Sequence, residues 1–238
     1  VKELVRTVIE ENIKIVFTSA GDPKIHSKQL KENGIILVHV IPSVRLALKA
    51  QDAGCDAVVA EGFEAGGHNG IDEITTLCLV PQVVDALEIP VIAAGGIADG
   101  RQIAAAFALG AEGVQIGTRF AATFESSSSE LHKQKIVEAI DNSTILTLKK
   151  LAPVRLYKNK FALLADRTEK SGASAEQLKE LLGSKRERKG IFEGDSDEGE
   201  LEMGQSSGLV KEIKSVKDVI SDLIKEYEDT ISIFKHFS

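Results

Sequence analysis

Apolar residues in the first half of this chain fall in five short continuous runs, at 13–17, 35–40, 57–60, 91–94 and 113–117. Between the runs they recur three and four apart, as on one face of a helix. Leu4, Val5, Val8 and Ile9 precede the first run, and Val44, Leu46, Ala47, Leu48 and Ala50 precede the third. Leu77, Leu79, Val80, Val83, Val84 and Leu87 precede the fourth. Breakers stand where such helices end or begin: Gly34, Gly54 and Gly110 close three of them, and Ser43 and Asp99 occupy N-cap positions. Pro81 is expected to set the start of its own helix, because proline suits the first helical position. Strands apolar throughout, alternating with helices, predict a parallel sheet buried on both faces.

Beyond Thr118 the alternation ends. Residues 121–170 read as a helical continuation around Leu131, Ile136, Val137 and Ile140, with Ser126 to Ser129 as a polar break or cap. Residues 171–208, rich in Gly, Ser and charge, read as a mobile insert or lid with one helix-like piece at 175–182. In residues 209–238, Val210, Ile213, Val216, Val219, Ile220, Leu223, Ile224, Tyr227 and Ile231 recur at three and four, which predicts an amphipathic helix. It is expected to pack on the sheet domain of residues 1–120, with partner binding as the alternative.

Composition narrows the function classes. The chain is 43% hydrophobic and 27% charged, ordinary for a globular fold. A net charge of -7 and a pI near 5.4 argue against a nucleic-acid partner, and the basic run at 185–189 reads as a solvated loop. No apolar run approaches the roughly 18 residues of a membrane span and the start lacks a secretory pattern, so a cytoplasmic location without a membrane partner is expected. Cys55 and Cys78 lie in apolar surroundings and read as buried thiols. No two histidines have metal-ligand spacing, so no catalytic metal is expected. His39, inside a strand run, reads as a core residue, and His26, His132 and His236 as helix-surface or terminal residues.

Candidate chemistry concentrates at the ends of the strand runs. Glu61-Gly62-Phe63-Glu64-Ala65-Gly66-Gly67-His68-Asn69-Gly70 follows the third run and surrounds one histidine with four glycines. Glycine lets backbone approach a ligand, and a loop histidine can move protons near neutral pH; the plain alternative is a flexible turn with an incidental histidine. Gly95-Gly96 follows the fourth run and Gly117-Thr118 the fifth. Each pair alone also fits a tight turn, but two in succession after the last strands suit a phosphate, as in barrel enzymes.

These stretches together resemble the flavin-dependent nitronate monooxygenases (2-nitropropane dioxygenases) and the related flavin enoyl-acyl-carrier-protein reductases. The resemblance rests on Glu61-Gly62-Phe63-Glu64-Ala65-Gly66-Gly67-His68, on Ile92-Ala93-Ala94-Gly95-Gly96-Ile97-Ala98-Asp99-Gly100 and on Val114-Gln115-Ile116-Gly117-Thr118-Arg119-Phe120, and continues into Met203-Gly204-Gln205-Ser206-Ser207-Gly208-Leu209-Val210. It implies an FMN-binding (β/α)8 TIM-barrel fold. It places FMN contacts on Glu61, Gly66, Gly67, Gly95, Gly96, Gln115, Ile116, Gly117 and Thr118, and the active-site histidine on His68. In that reading His68 takes the α-proton of a nitroalkane, and O2 completes oxidation to carbonyl and nitrite. In the reductase branch, NAD(P)H is the co-substrate and an enoyl thioester the acceptor. Either way the partner is a small molecule, and a homodimer is compatible with both.

Two departures stand out. Many members have Gln where this chain has Glu61, and a carboxylate is less favourable beside an electron-rich flavin. A closed barrel needs eight βα units, whereas five are legible here, so the family's first three strands are expected to be missing and the sequence to be a fragment of a longer protein. An open sheet of this kind exposes an edge. A non-catalytic flavin-binding fragment is therefore the third reading.

Overall fold

The structure, a computed structural model, describes residues 2–234; the expectation for His236 lies outside them. Helix α1 (Lys2–Glu10) leads into β1 (Ile15–Thr18), and the unit repeats as α2 (Lys24–Glu32), β2 (Ile36–Ile41), α3 (Val44–Asp52) and β3 (Ala57–Glu61). A glycine-rich excursion holding the two-residue β4 (Gly67–His68) interrupts it. The repeat resumes with α4 (Thr76–Ala86), β5 (Val91–Ala94), α5 (Gly100–Ala108) and β6 (Gly113–Gln115).

Strands β1-β2-β3-β5-β6 form one sheet in chain order, parallel at every pairing, with Val38 opposite Ala57, Val58 opposite Val91 and Ile92 opposite Gly113. An order that never reverses is that of a barrel wall; a doubly wound sheet has a switch point. The expected class is therefore met by a parallel half-barrel. Along β3 the side chains alternate between two buried clusters: Val58 and Ala60 pack under the helices, and Ala57 and Val59 join Val38 and Ala94 on the inner face. Because neither face meets water, the run is apolar without a break. At the β1 edge the cover thins, and Ile15 and Phe17 are 51% and 52% exposed.

Helix starts follow their expected caps unevenly. Asp99 accepts the N–H groups of Arg101 and Gln102 while the Gln102 side chain returns to the Asp99 N–H, a complete capping box for α5. Ser43 has the extended N-cap backbone, yet its hydroxyl bonds no helix N–H. Pro81 does not begin its helix. It lies inside α4, whose start is set by tertiary contact: the Glu64 carboxylate accepts both the N–H and the hydroxyl of Thr76.

Residues 121–170 are not a helical continuation. After the short α6 (Thr118–Ala121) and α7 (Glu130–Val137, capped by Ser129) come β7 (Thr144–Thr147) and β8 (Val154–Tyr157), which pair antiparallel. β4 pairs with the other edge of β8, making a second sheet in the order β4-β8-β7. Strands of four residues are too short for their period to separate them from helix. Helices α8 (Lys160–Lys170) and α9 (Ala175–Leu182) cover this sheet, burying Leu156, Phe161 and Leu178.

The expected mobile insert is packed as well: Leu201 and Met203 are buried, and residues 188–192 form a π-helical turn. Within the basic run expected to be solvated, Arg186 turns inward. Its guanidinium stacks 4.1 Å from the Phe161 ring centroid and donates to the carbonyls of Leu181, Leu182 and Glu198. Cys55 is buried as expected, but Cys78 is exposed. The last helix, α10 (Val216–Phe234), begins seven residues later than its apolar periodicity and packs on α5. Phe107 meets Tyr227 edge to face at 5.5 Å, and Glu226 accepts the Gly100 N–H at 2.9 Å.

Candidate active site

The carboxyl ends of β3, β5 and β6 converge on a cavity of about 290 Å³. Glu61, Gly66, Gly95, Gly96, Gln115, Gly117 and Thr118 line it, so seven of the expected site residues are brought together. A second cavity of about 220 Å³ opens at the ends of β1 and β2, lined by His39, Asn69 and His68 and sharing Glu61 with the first. Small-molecule sites span roughly 300–1,000 Å³, a range reached by the two cavities jointly. Gly67 lies beside them in β4. Ile116 points elsewhere: its side chain lines an apolar groove with Phe107, Ile220 and Tyr227.

The first cavity fits the phosphate end of a nucleotide cofactor. Among the described residues, no acceptor takes the backbone N–H of Gly96, Gly117 or Thr118. Gly96 has φ +73, a conformation that glycine adopts without strain, and a Cβ built on Gly117 meets no atom within 4 Å. Free N–H groups beside open space suit an anion. Thr118 already accepts the Gly204 N–H at 2.9 Å, which leaves its hydroxyl proton to donate.

The remaining wall comes from residues that local sequence reasoning missed: Ser128, His132, Ile191, Glu202, Gly204 and Ser206. His132 is not on a helix surface. It is 2% exposed, and its Nε2 lies 2.9 Å from the Glu202 carbonyl oxygen. The one signal for this wall was the family-like stretch from Met203 to Val210. Gly66 admits it: a Cβ there would stand 2.5 Å from the Met203 carbonyl carbon and 2.6 Å from the Gly204 nitrogen. Buried Arg155 pins the same loop from below, donating to the Phe63 carbonyl at 2.8 Å with its guanidinium 4.5 Å from the Phe63 ring centroid.

The walls of the first cavity carry two carboxyls, Glu61 and Glu202, and no lysine or arginine among the described residues. Burial pushes the Glu61 carboxyl up to about 7 and raises Glu202. Burial likewise holds His132 and His39 below the ordinary imidazole value, and His39 is satisfied as the core residue expected, its Nδ1 2.8 Å from the Thr18 hydroxyl. His26 is half-buried on α2. His68 differs from these: its side chain is 72% exposed, in position to meet a ligand. No group of three His, Cys, Asp or Glu among the described residues is arranged to hold a metal, and no described helix is long and apolar enough to cross a membrane.

Comparison with known proteins converges on one family. The profile described as nitronate monooxygenase matches residues 1–226. A probable nitronate monooxygenase of Staphylococcus aureus is 42% identical over 150 residues, covering 59% of this chain and 42% of that protein. The corresponding protein of Staphylococcus saprophyticus is 42% identical over 156 residues, covering 61% and 44%. The chain thus matches less than half the length of these curated relatives. Among solved structures, FabK from Thermotoga maritima superposes with a TM-score of 0.94 at 44% identity, over 100% of this chain and 75% of that one. A nitroalkane oxidase from Streptomyces ansochromogenes gives 0.82 at 28% identity, over 97% and 68%.

Proposed function

The chain belongs to the nitronate monooxygenase family, and from that membership we propose that it forms the phosphate-binding and proton-transfer half of an FMN-dependent oxidoreductase. The observation that carries this reading is the pair of cavities meeting at Glu61, with free N–H groups in one and His68 at the other. Gly96, Gly117 and Thr118 would hold the phosphate through N–H and hydroxyl donors, and Glu61, Gly66 and Gln115 would line the rest of the cofactor's cavity. FMN, when bound, supplies the electron acceptor for a nitronate or, once reduced by NAD(P)H, the hydride for an enoyl thioester.

The chain's own task is the proton. His68 accepts the α-proton of a nitroalkane at a ring nitrogen, the role for which an exposed imidazole is suited near neutral pH. Burial holds the Glu61 carboxyl neutral below about pH 7, and a neutral carboxyl would be able to donate a hydrogen bond to a reduced flavin as a Gln amide does. A second reading, reduction of an enoyl thioester with His68 as proton donor, is supported by the whole-chain likeness to FabK.

The test uses the protein reconstituted with FMN. Nitrite release from a nitronate is compared with NAD(P)H oxidation driven by an enoyl thioester. Replacing His68 with Ala should lower kcat/KM for the true substrate by roughly 10²-fold or more, the usual weight of general acid–base catalysis. Failure to retain any FMN would overturn the cofactor assignment, and full activity in His68→Ala would overturn the role of His68.

A further inference from the structure

Glu202 comes to His68 from 134 positions along the chain, and β8 is what joins them. Gly67 pairs with Arg155 on the edge of β8 opposite β7, and Glu202 bridges the next residue, Leu156, whose other edge is taken by Ile145 of β7. β4 and Glu202 therefore lie end to end along one strand edge. The His132 ring fixes the backbone of Glu202 through its carbonyl oxygen, and the Leu201 carbonyl accepts the Tyr157 N–H at 2.8 Å. Gly67 eases the approach: its φ of +78 suits glycine, and a Cβ there would stand 2.8 Å from the Glu202 Oε2 and push the carboxylate away from the histidine loop.

The result is a carboxylate Oε1 4.0 Å from His68 Nδ1, on a side chain only 26% exposed. Among the described residues, no hydrogen bond engages either carboxylate oxygen. We propose that Glu202 is the positioning residue for His68: it holds the ring proton on Nδ1, leaves Nε2 as the proton-accepting atom, and balances the charge of the imidazolium that forms. The inference rests on the assignment of proton transfer to His68. An imidazole nitrogen is freed as a base when the other donates to a carboxylate.

The surroundings of Glu202 explain why it stays available. Burial most of all, and Glu187 less, oppose its ionisation, while His68 favours the charged form; Glu202 adds to the burial that opposes ionisation of Glu200. Of the groups facing it, His68 is thus the one that rewards an ionised Glu202. The neighbouring Arg186 is committed to backbone carbonyls and to Glu198, and the His132 ring is bound to the Glu202 carbonyl rather than to its carboxylate.

The experiment compares Glu202→Gln, Glu202→Asp and His68→Ala in the full chain, by ¹⁵N NMR of the His68 ring without FMN and by the pH profile of kcat/KM with it. Native protein should show the Nδ1–H tautomer, retained in Glu202→Asp and lost in Glu202→Gln. In Glu202→Gln, kcat should fall roughly tenfold or more with little change in KM, and the acidic limb of the pH profile, where the accepting imidazole takes a proton before the substrate arrives, should move. An Nε2–H tautomer in native protein, or a Glu202→Gln variant with native tautomer and profile, overturns the proposal while leaving His68 in place. If His68→Ala retains full activity, the underlying role of His68 is what fails.

Discussion

Glu61 makes stability depend on pH in a direction opposite to that of most carboxylates, and replacing it with Gln should reveal this. The side chain closes the boundary between the two cavities, and burial alone lifts its carboxyl from an ordinary 4.5 to about 7. Between those values the unfolded chain has released a proton that the folded chain still holds, so stability falls as pH rises through the window. The gap from 4.5 to about 7, at roughly 1.4 kcal/mol per pH unit, costs about 3 kcal/mol once pH exceeds 8. Water entering the cavities makes that figure a ceiling. Gln has the same shape without the ionisation. Urea unfolding at fixed m should therefore find Glu61→Gln within about 1 kcal/mol of the native protein at pH 5 and more stable by up to about 3 kcal/mol at pH 8. Comparing the two proteins cancels Glu200, whose carboxyl is also pushed up to about 7 and titrates over the same range. An equal difference between variant and native at both pH values would refute the reasoning.

Two further outcomes test how the site is built. Gly66→Ala drives a methyl into the backbone of Met203 and Gly204, which cannot rotate aside, so it should cost about 1–3 kcal/mol and weaken FMN retention together; flavin absorbance per chain and Tm measure both, and a variant native in both would show that the 203–204 segment is not packed there. Asp99→Ala removes both capping bonds at the start of α5, a loss of about 1 kcal/mol. Its Tm should fall by roughly 2–4 °C for a chain of this size, and an unchanged Tm would mean that Glu226, on the Gly100 N–H, caps the helix alone.

The legible part of this molecule is the part whose determinants are local. Continuous apolarity identifies the five parallel strands because the central ones are buried on both faces, and parallel strands carry their loops to one end, so Glu61, Gly95, Gly96, Gln115, Gly117 and Thr118 converge. Ile116 was separable on the same ground: it follows Gln115 along one extended path, where adjacent side chains leave by opposite faces, and a period of two places it away from the cavity. The β4-β8-β7 sheet was not legible, since Gly67 finds Arg155 only across 88 positions and no strand in the sheet exceeds four residues. Burial of His132 depends on the distant Glu202 carbonyl, which no pattern within α7 encodes.

That division bears on mechanism. The side of the cavity proposed to take phosphate is built from the βα repeat, whereas His68 stands where the loop after β3 crosses into the second sheet and Glu202 arrives along β8. Placement of His68 is therefore governed by the later half of the chain. On the proposed reading, a change in β8 should displace His68 without disturbing Gly96 and Gly117, so that FMN retention and proton transfer are separable.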